Sequence, residues 1–186
     1  MQNQDLIQQM KAKAEAVQAI VKEIKTIEDA LQYTVDLTKT QGGKTVVATG
    51  LEAEVRSLLK KQCNSAKLNL LEFPLRRHTS EIHTSLTLAD WGIAETGTLA
   101  LDSASEDVRI ATMLAETHVA VLSASKIMPD TAAFEDRLNA VLKRDASAYY
   151  AFITGASRTA DIERVLAIGV HGPQELHILI TEDKRA

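Results

Sequence analysis

Two short polar stretches carry side chains that could bind a small anion. Residues 95–98 read Glu-Thr-Gly-Thr, so a carboxylate and two hydroxyls flank Gly97, which permits close approach of the backbone to a ligand. Residues 157–161 place a serine, an arginine, a threonine and an aspartate close together. The planar guanidinium of Arg158 matches the two oxygens of a carboxylate or a phosphate. The spacing therefore predicts an anion site with Arg158 as its anchor.

Each stretch also has a purely structural interpretation. The Glu-Thr-Gly-Thr segment can be the turn of a hairpin, and Arg158 can pair with Asp161 to fix its own loop. His171, Gly172 and Pro173 form a second turn, so His171 either lines the rim of the site or only helps to make that turn.

Apolar elements on both sides position these turns. The aromatic and β-branched run Tyr149–Thr154 predicts a strand, and Gly155 ends it. A helical spacing then runs from Ile162 to Gly169, with Thr159 as its possible cap. The alternation at Leu176–Ile180 predicts a closing strand. Polar turns at the ends of apolar elements are where α/β sheets bind ligands.

The rest of the chain alternates strands and helices, which predicts a mainly parallel sheet with helices on both faces. The other predicted strands are Thr45–Thr49, Lys67–Leu71, Leu86–Asp90, Thr98–Leu101 and His118–Ser123. Helical patterns follow at residues 51–62, at 109–114 and after Pro129. No GxGxxG or GxxxxGK[ST] motif occurs, so neither a dinucleotide nor a nucleoside triphosphate fingerprint supports this fold.

The N-terminal part predicts helix from about Gln4 to Thr40, with a break near Lys25 and Thr26. We expect residues 1–42 to form a helical arm packed on an α/β domain of residues 43–186. Such an arm can also contact another subunit.

Composition limits the possible functions. The 186 residues carry a net charge of −4, which gives no basic footprint for nucleic acid. No apolar run approaches the roughly 20 residues of a membrane span, and the N-terminus lacks the apolar core of a signal peptide. The sequence therefore predicts a cytoplasmic protein.

Cysteine and histidine usage predicts no metal in this chain. Cys63 is the single cysteine, so the chain alone cannot form a Cys₄ iron–sulfur site or an intrachain disulfide, and its helical setting indicates a packed apolar residue. His78 and His83 flank Glu81 without further ligands in a defined pattern. His118 stands at the start of a predicted strand, where it is either an ordinary strand-end histidine or a catalytic base.

Three segments resemble the LUD-domain family, in particular its lactate-utilization members. They read GIAETGTLAL, HVAVLSASKIMPD and ITGASRTADIERVLAIGVHGPQELHILI, and they occur in the family's order and separation. Ala156 stands where members commonly have proline, which loosens a turn without removing a polar group. The resemblance covers most of the chain from Gly43 onward.

The resemblance implies a three-layer α/β/α fold related to the isomerase and CoA-transferase superfamily. It also implies a role, with two partner proteins that carry iron–sulfur clusters, in oxidising L-lactate to pyruvate. No cofactor is then expected on this chain. Kinship with CoA transferases suggests Glu95 as a catalytic residue, although fold does not determine function. The expected substrate-binding residues are Thr96, Gly97, Thr98, Ser157, Arg158, Thr159, Asp161 and His171.

Three functions remain open on the sequence. The leading hypothesis is a subunit of a lactate-oxidising complex that binds the substrate anion. The second is a stand-alone enzyme acting on a phosphorylated or CoA-linked small molecule, with Glu95 as nucleophile or general base. The third is a non-catalytic scaffold whose N-terminal helices form the contact surface.

Overall fold

A computed structural model describes residues 3–144, 148–159, 167–168 and 172–182. The helices of these residues are α1 (Asn3–Ala16), α2 (Ile27–Thr40), α3 (Ala53–Ala66), α4 (Glu106–Leu114) and α5 (Thr131–Arg144). The strands are β1 (Ile20–Ile24), β2 (Thr45–Ala48), β3 (Asn69–Leu70), β4 (Thr84–Ala89), β5 (Trp91–Ile93), β6 (Thr98–Asp102), β7 (Thr117–Ser123), β8 (Ile127–Met128), β9 (Tyr150–Ile153), β10 (Arg158–Thr159), β11 (Ala167–Ile168) and β12 (Glu175–Thr181).

The centre of the molecule is a six-stranded parallel sheet in the order β1-β12-β7-β4-β2-β3. Its middle strands are buried on both faces, as parallel strands between helical layers must be, and every residue of β7 is buried. Each of the seven predicted strands overlaps an observed one, so the predicted α/β fold with a mainly parallel sheet is confirmed.

Helices cover both faces of this sheet. Val46 packs with Leu31 of α2 and Leu59 of α3 on one face. The next residue, Val47, points the other way and packs with Ala111 of α4. Met10 of α1 covers the same side as α4, over β7 and β12.

A second, mixed sheet lies beside the first. Its order is β8-β5-β6-β9, with antiparallel β5–β6 and β6–β9 pairs and a parallel β5–β8 pair. Two of the predicted strands, β6 and β9, belong to it rather than to the central sheet. Leu99 of β6 pairs with Ile153 of β9, so this sheet joins the two polar stretches identified in the sequence.

The helix predicted through Ile24 is wrong over its last part. Residues 20–24 form β1, which pairs in parallel with β12 at the edge of the central sheet. The break near Thr26 is confirmed: its hydroxyl accepts from the Asp29 amide, and the Asp29 carboxylate accepts from the Thr26 amide. The division of the chain at residue 42 stays a prediction, but part of the predicted arm is a strand of the sheet.

The structure also tests the interpretation of Cys63 as a packed apolar residue. Cys63 lies on α3 and is fully buried against α2 and the sheet. Burial raises the pKa of its thiol to about 11, so Cys63 is the packed apolar residue that was expected.

The helix predicted for residues 162–169 is wrong at its end, because Ala167–Ile168 pairs as a strand with Arg158–Thr159. The remainder of that segment lies outside the described residues.

Within the described ranges, no helix is both long enough and apolar enough to span a membrane.

Candidate functional site

The Glu-Thr-Gly-Thr stretch forms the turn between β5 and β6. Thr96 Oγ1 lies 2.7 Å from Thr98 Oγ1, and Thr98 Oγ1 lies 2.8 Å from Thr154 Oγ1 at the end of β9. This chain of hydroxyls connects the first polar stretch to the strand that leads into the second. Thr154 precedes Ser157 by three residues, and the shared cleft of the two stretches stays a prediction.

Glu95 and Arg158 point at backbone rather than at one another. The exposed Glu95 carboxylate accepts from the Thr131 amide at 3.3 Å, at the N-terminal end of α5, where a helix favours negative charge. Arg158 Nη2 donates to the Val17 carbonyl oxygen at 2.8 Å, just past the C-terminal end of α1. A cation next to the C-terminal end of a helix interacts favourably with the helix dipole.

The remaining predicted site residues fall into three groups. Gly97 is buried with φ 67° against α1. Ser157 is half-buried and lines a cavity of about 400 Å³ beside α4. Thr159 contributes backbone to β10, while Asp161 and His171 lie outside the described residues. The roles predicted for these residues stay predictions.

The contact of Arg158 with Val17 separates two roles for this side chain. If Arg158 only caps α1, Arg158→Lys retains stability, because one ammonium can donate to one carbonyl, whereas Arg158→Ala loses about 1 kcal/mol. An anion anchor behaves differently, since Lys cannot reproduce the bidentate fork. Urea denaturation and anion affinity of both variants decide between them. Loss of affinity in Arg158→Lys at unchanged stability would contradict the capping role.

A crevice of about 270 Å³ lies at the carboxyl ends of β2 and β4. The connection leaving β2 runs to β3 on one side, and the connection leaving β4 runs to β7 on the other. Adjacent strands whose connections diverge open a space between them, which is where open α/β sheets bind ligands. The lining residues are Thr49, Gly50, Thr87, Leu88, Ala89, Asp90, Leu101, Asp102, Val108 and Lys126.

Asp90 is the titratable group of this crevice with a displaced pKa. Burial raises the pKa of its carboxyl, and the Asp102 charge acts in the same direction. The Asp102 amide, which donates to Asp90 Oδ2 at 2.6 Å, and the nearby charge of Lys126 partly offset that rise. Because burial outweighs the amide and the cation, the pKa of Asp90 is raised on balance, which makes its carboxylate better suited to accept a proton than an exposed aspartate.

The other lining groups suit a small polar ligand. Thr49, which follows β2, and Thr87 of β4 line the crevice, and Thr87 Oγ1 lies 2.8 Å from His118 Nε2. Gly50 adopts φ 78° and turns the chain toward the N-terminal end of α3, which lies just beyond it. The sequence analysis missed Asp90 and Lys126, because they lie 36 residues apart in no recognisable motif.

Similarity to known proteins shows which family has this architecture. The family model described as the LUD domain matches residues 7–181, which begin about one turn into α1 and include both sheets and the helices α2 to α5. The chain belongs to the LUD-domain family. The resemblance seen in the sequence is thereby confirmed, and the match also takes in most of the predicted arm.

This LUD domain is similar in sequence to other proteins at about 30% identity. It is 29% identical to YkgG of Escherichia coli over 161 residues, covering 83% of this chain and 70% of YkgG. It is 29% identical to lactate utilization protein C of Bacillus subtilis over 110 residues, 58% of this chain and 46% of that protein. The match therefore spans less than half of the lactate utilization protein.

A solved structure supports the fold independently. A DUF162 family protein from Deinococcus radiodurans superposes with a TM-score of 0.65 at 15% identity, covering 97% of this LUD domain and 99% of that chain. This likeness concerns the architecture alone.

Proposed function

We propose that this LUD domain acts in lactate utilization, as a subunit of a system that oxidises L-lactate to pyruvate. The family match and the relatives named lactate utilization protein C support the pathway. The single observation that supports a substrate site on this chain is the crevice at the β2–β4 divergence, where Asp90 faces Lys126.

L-Lactate offers a carboxylate and an adjacent hydroxyl. In the proposed complex Lys126 attracts the carboxylate, and Asp90 accepts the proton of the hydroxyl while the carbon that bears it is oxidised. Lactate loses two electrons and two protons in becoming pyruvate: the hydroxyl proton passes to Asp90, and the hydrogen on the same carbon leaves as a proton to solvent. The two electrons pass to two partner proteins, which in this proposal carry the iron–sulfur clusters. With a single cysteine, this chain alone cannot supply the four thiolates of a Cys₄ cluster, which is why the proposal puts the clusters on the partners.

The polar turns complete the proposal. The hydroxyls of Thr96, Thr98 and Ser157 remain proposed contacts for a substrate anion, with Asp161 and His171. For Glu95 and Arg158 the backbone contacts at α5 and α1 support structural roles first.

Asp90→Asn tests the proposed proton acceptor. The amide preserves the shape of the carboxylate but cannot take up a proton at neutral pH, so we expect lactate oxidation by the reconstituted complex to fall about a hundredfold or more in kcat. Lys126→Gln should act chiefly on KM, because the carboxylate contact is present before and during the reaction. The matched control is Asp36→Asn, an exposed carboxylate on α2.

The assay is lactate-dependent reduction of an artificial electron acceptor by this chain with two cysteine-rich partner proteins. A complex that lacks this chain and still oxidises lactate normally would refute the proposal. Unchanged kinetics in Asp90→Asn would instead leave a scaffold role, for which truncation of α1 abolishes assembly.

A second function is favoured by one specific feature. The turn at Gly50 runs from the crevice into the N-terminal end of α3, where backbone amides suit a phosphate. A stand-alone enzyme acting on a phosphorylated or CoA-linked small molecule would use it. Turnover of such a compound by the purified chain alone separates this function from the lactate system.

A further inference from the structure

We propose that the cavity of about 400 Å³ beside α4 is a second binding site, which takes an organic monocarboxylate with an apolar body larger than lactate. The cavity lies between α4, the start of β7 and the segment that runs from β9 through Ser157. It shares no lining residue with the crevice that contains Asp90.

His118 provides the observation that points to a ligand. Its side chain lines the cavity and is 1% exposed. Nε2 lies 2.8 Å from Thr87 Oγ1, but Nδ1 has no hydrogen-bond partner in the part of the chain that the structure describes. A buried ring nitrogen without a partner is costly, and a ligand oxygen would remove that cost.

The hydroxyl of Thr87 allows His118 to adapt to such a ligand. A hydroxyl can donate or accept, so either ring nitrogen of the neutral imidazole can carry the proton. An anion in the cavity selects the tautomer in which Thr87 donates to Nε2 and Nδ1–H donates to the ligand. Burial lowers the pKa of His118 to about 4, so the ring is neutral at physiological pH.

Arg109 supplies the positive charge at the same cavity. Its Nη1 donates to the carbonyl oxygens of Ser103 and Ala104, at 2.8 Å for the latter, and these bonds hold the guanidinium at the cavity wall. Two other wall hydroxyls are already engaged with backbone, because Ser103 donates to Tyr149 and Thr112 donates within α4. The polar recognition therefore falls to Arg109, His118 and Ser157.

The rest of the wall includes Met113 and Tyr149, two large side chains that are more than half exposed. An apolar ligand body would cover them, and this is why the proposed ligand is larger than lactate.

Benzoate is a suitable probe, with benzamide as its neutral isostere. Trp91 is the single tryptophan, and its ring lies 5.5 Å from that of Tyr150, so its fluorescence reports on the cavity wall. We expect saturable binding of benzoate at least tenfold tighter than that of benzamide. Arg109→Gln should weaken benzoate binding at least tenfold. Arg76→Gln, which removes an exposed arginine paired with Glu106 at the start of α4, should leave it unchanged.

A second variant guards against misfolding of Arg109→Gln. Ala151 lies in β9 and lines the cavity, so Ala151→Leu fills it without removing a charge and should also abolish binding. Circular dichroism establishes that each variant is folded. Equal affinity for benzoate and benzamide, or unchanged affinity in a folded Ala151→Leu, would overturn the proposal. Competition by L-lactate at matching affinity would also overturn it, since the cavity would then be the lactate site.

Discussion

Gly97→Ala should destabilise the protein by about 3–5 kcal/mol or prevent folding altogether. Gly97 has φ 67°, a conformation that costs an L-residue about 1–2 kcal/mol. An added Cβ would also overlap the Ala14 amide nitrogen and lie 2.6 Å from the Lys13 carbonyl carbon. Backbone atoms of α1 cannot rotate away as a side chain can, so the helix itself would have to move.

Gly42→Ala is the matched control. Gly42 has φ 77°, but nothing lies within 4 Å of the Cβ that alanine would add. Only the conformational cost of about 1–2 kcal/mol applies there. Urea denaturation of both variants separates strain from overlap. Equal destabilisation by the two substitutions would show that α1 does not pack against this turn.

Gly155 repeats the arrangement from the other polar stretch. It has φ 73°, and an added Cβ would overlap the Val17 carbonyl oxygen and lie 2.9 Å from Arg158 Nη2. Both glycines therefore meet the C-terminal end of α1. Each of the two glycines therefore lies against the end of a helix that stops 79 residues before Glu95.

The strands could be predicted from the sequence, whereas the contacts that α1 makes near both polar stretches could not. The strands and the parallel sheet could be predicted because runs of apolar residues are the strongest local signal of secondary structure. The edge strand β1 was missed because Ile20, Val21 and Ile24 fit a helical face equally well. Only Val21 of that strand is buried, so an edge position left no alternation to recognise.

In the polar sites, too, residues close in sequence could be grouped in advance, whereas residues far apart in sequence could not. Thr96 and Thr98 could be recognised as parts of one polar stretch because they are two residues apart. Asp90 follows β4 and Lys126 follows β7. Both line the crevice because these two strands end at the same edge of the sheet. His118 was recognised as a strand-end histidine, but its bond to Thr87 depends on the β4–β7 register, which the sequence does not state.

The stability of the protein should fall as the pH is lowered from 7 to 5, and His118 should account for much of the loss. Burial, together with the charge of His177, lowers the pKa of His118 from 6.5 to about 4. Between these values the unfolded chain binds a proton that the folded chain refuses, so acid favours unfolding. One such proton changes the free energy of unfolding by roughly 1 kcal/mol per pH unit, or about 2 kcal/mol over this range. Above pH 6.5 the effect vanishes, because the imidazole is neutral in both states.

His118→Gln tests this assignment by removing the titrating group while keeping an amide near Thr87. Urea denaturation at pH 7 and pH 5 should show a lower stability at pH 7 but a smaller loss on acidification. Gly42→Ala provides a control that is destabilised without losing a titratable group, and its pH dependence should match that of the parent. Burial also lowers the pKa of His177, so a residual slope is expected in His118→Gln. A slope in His118→Gln as steep as in the parent would place the acid sensitivity elsewhere in the molecule.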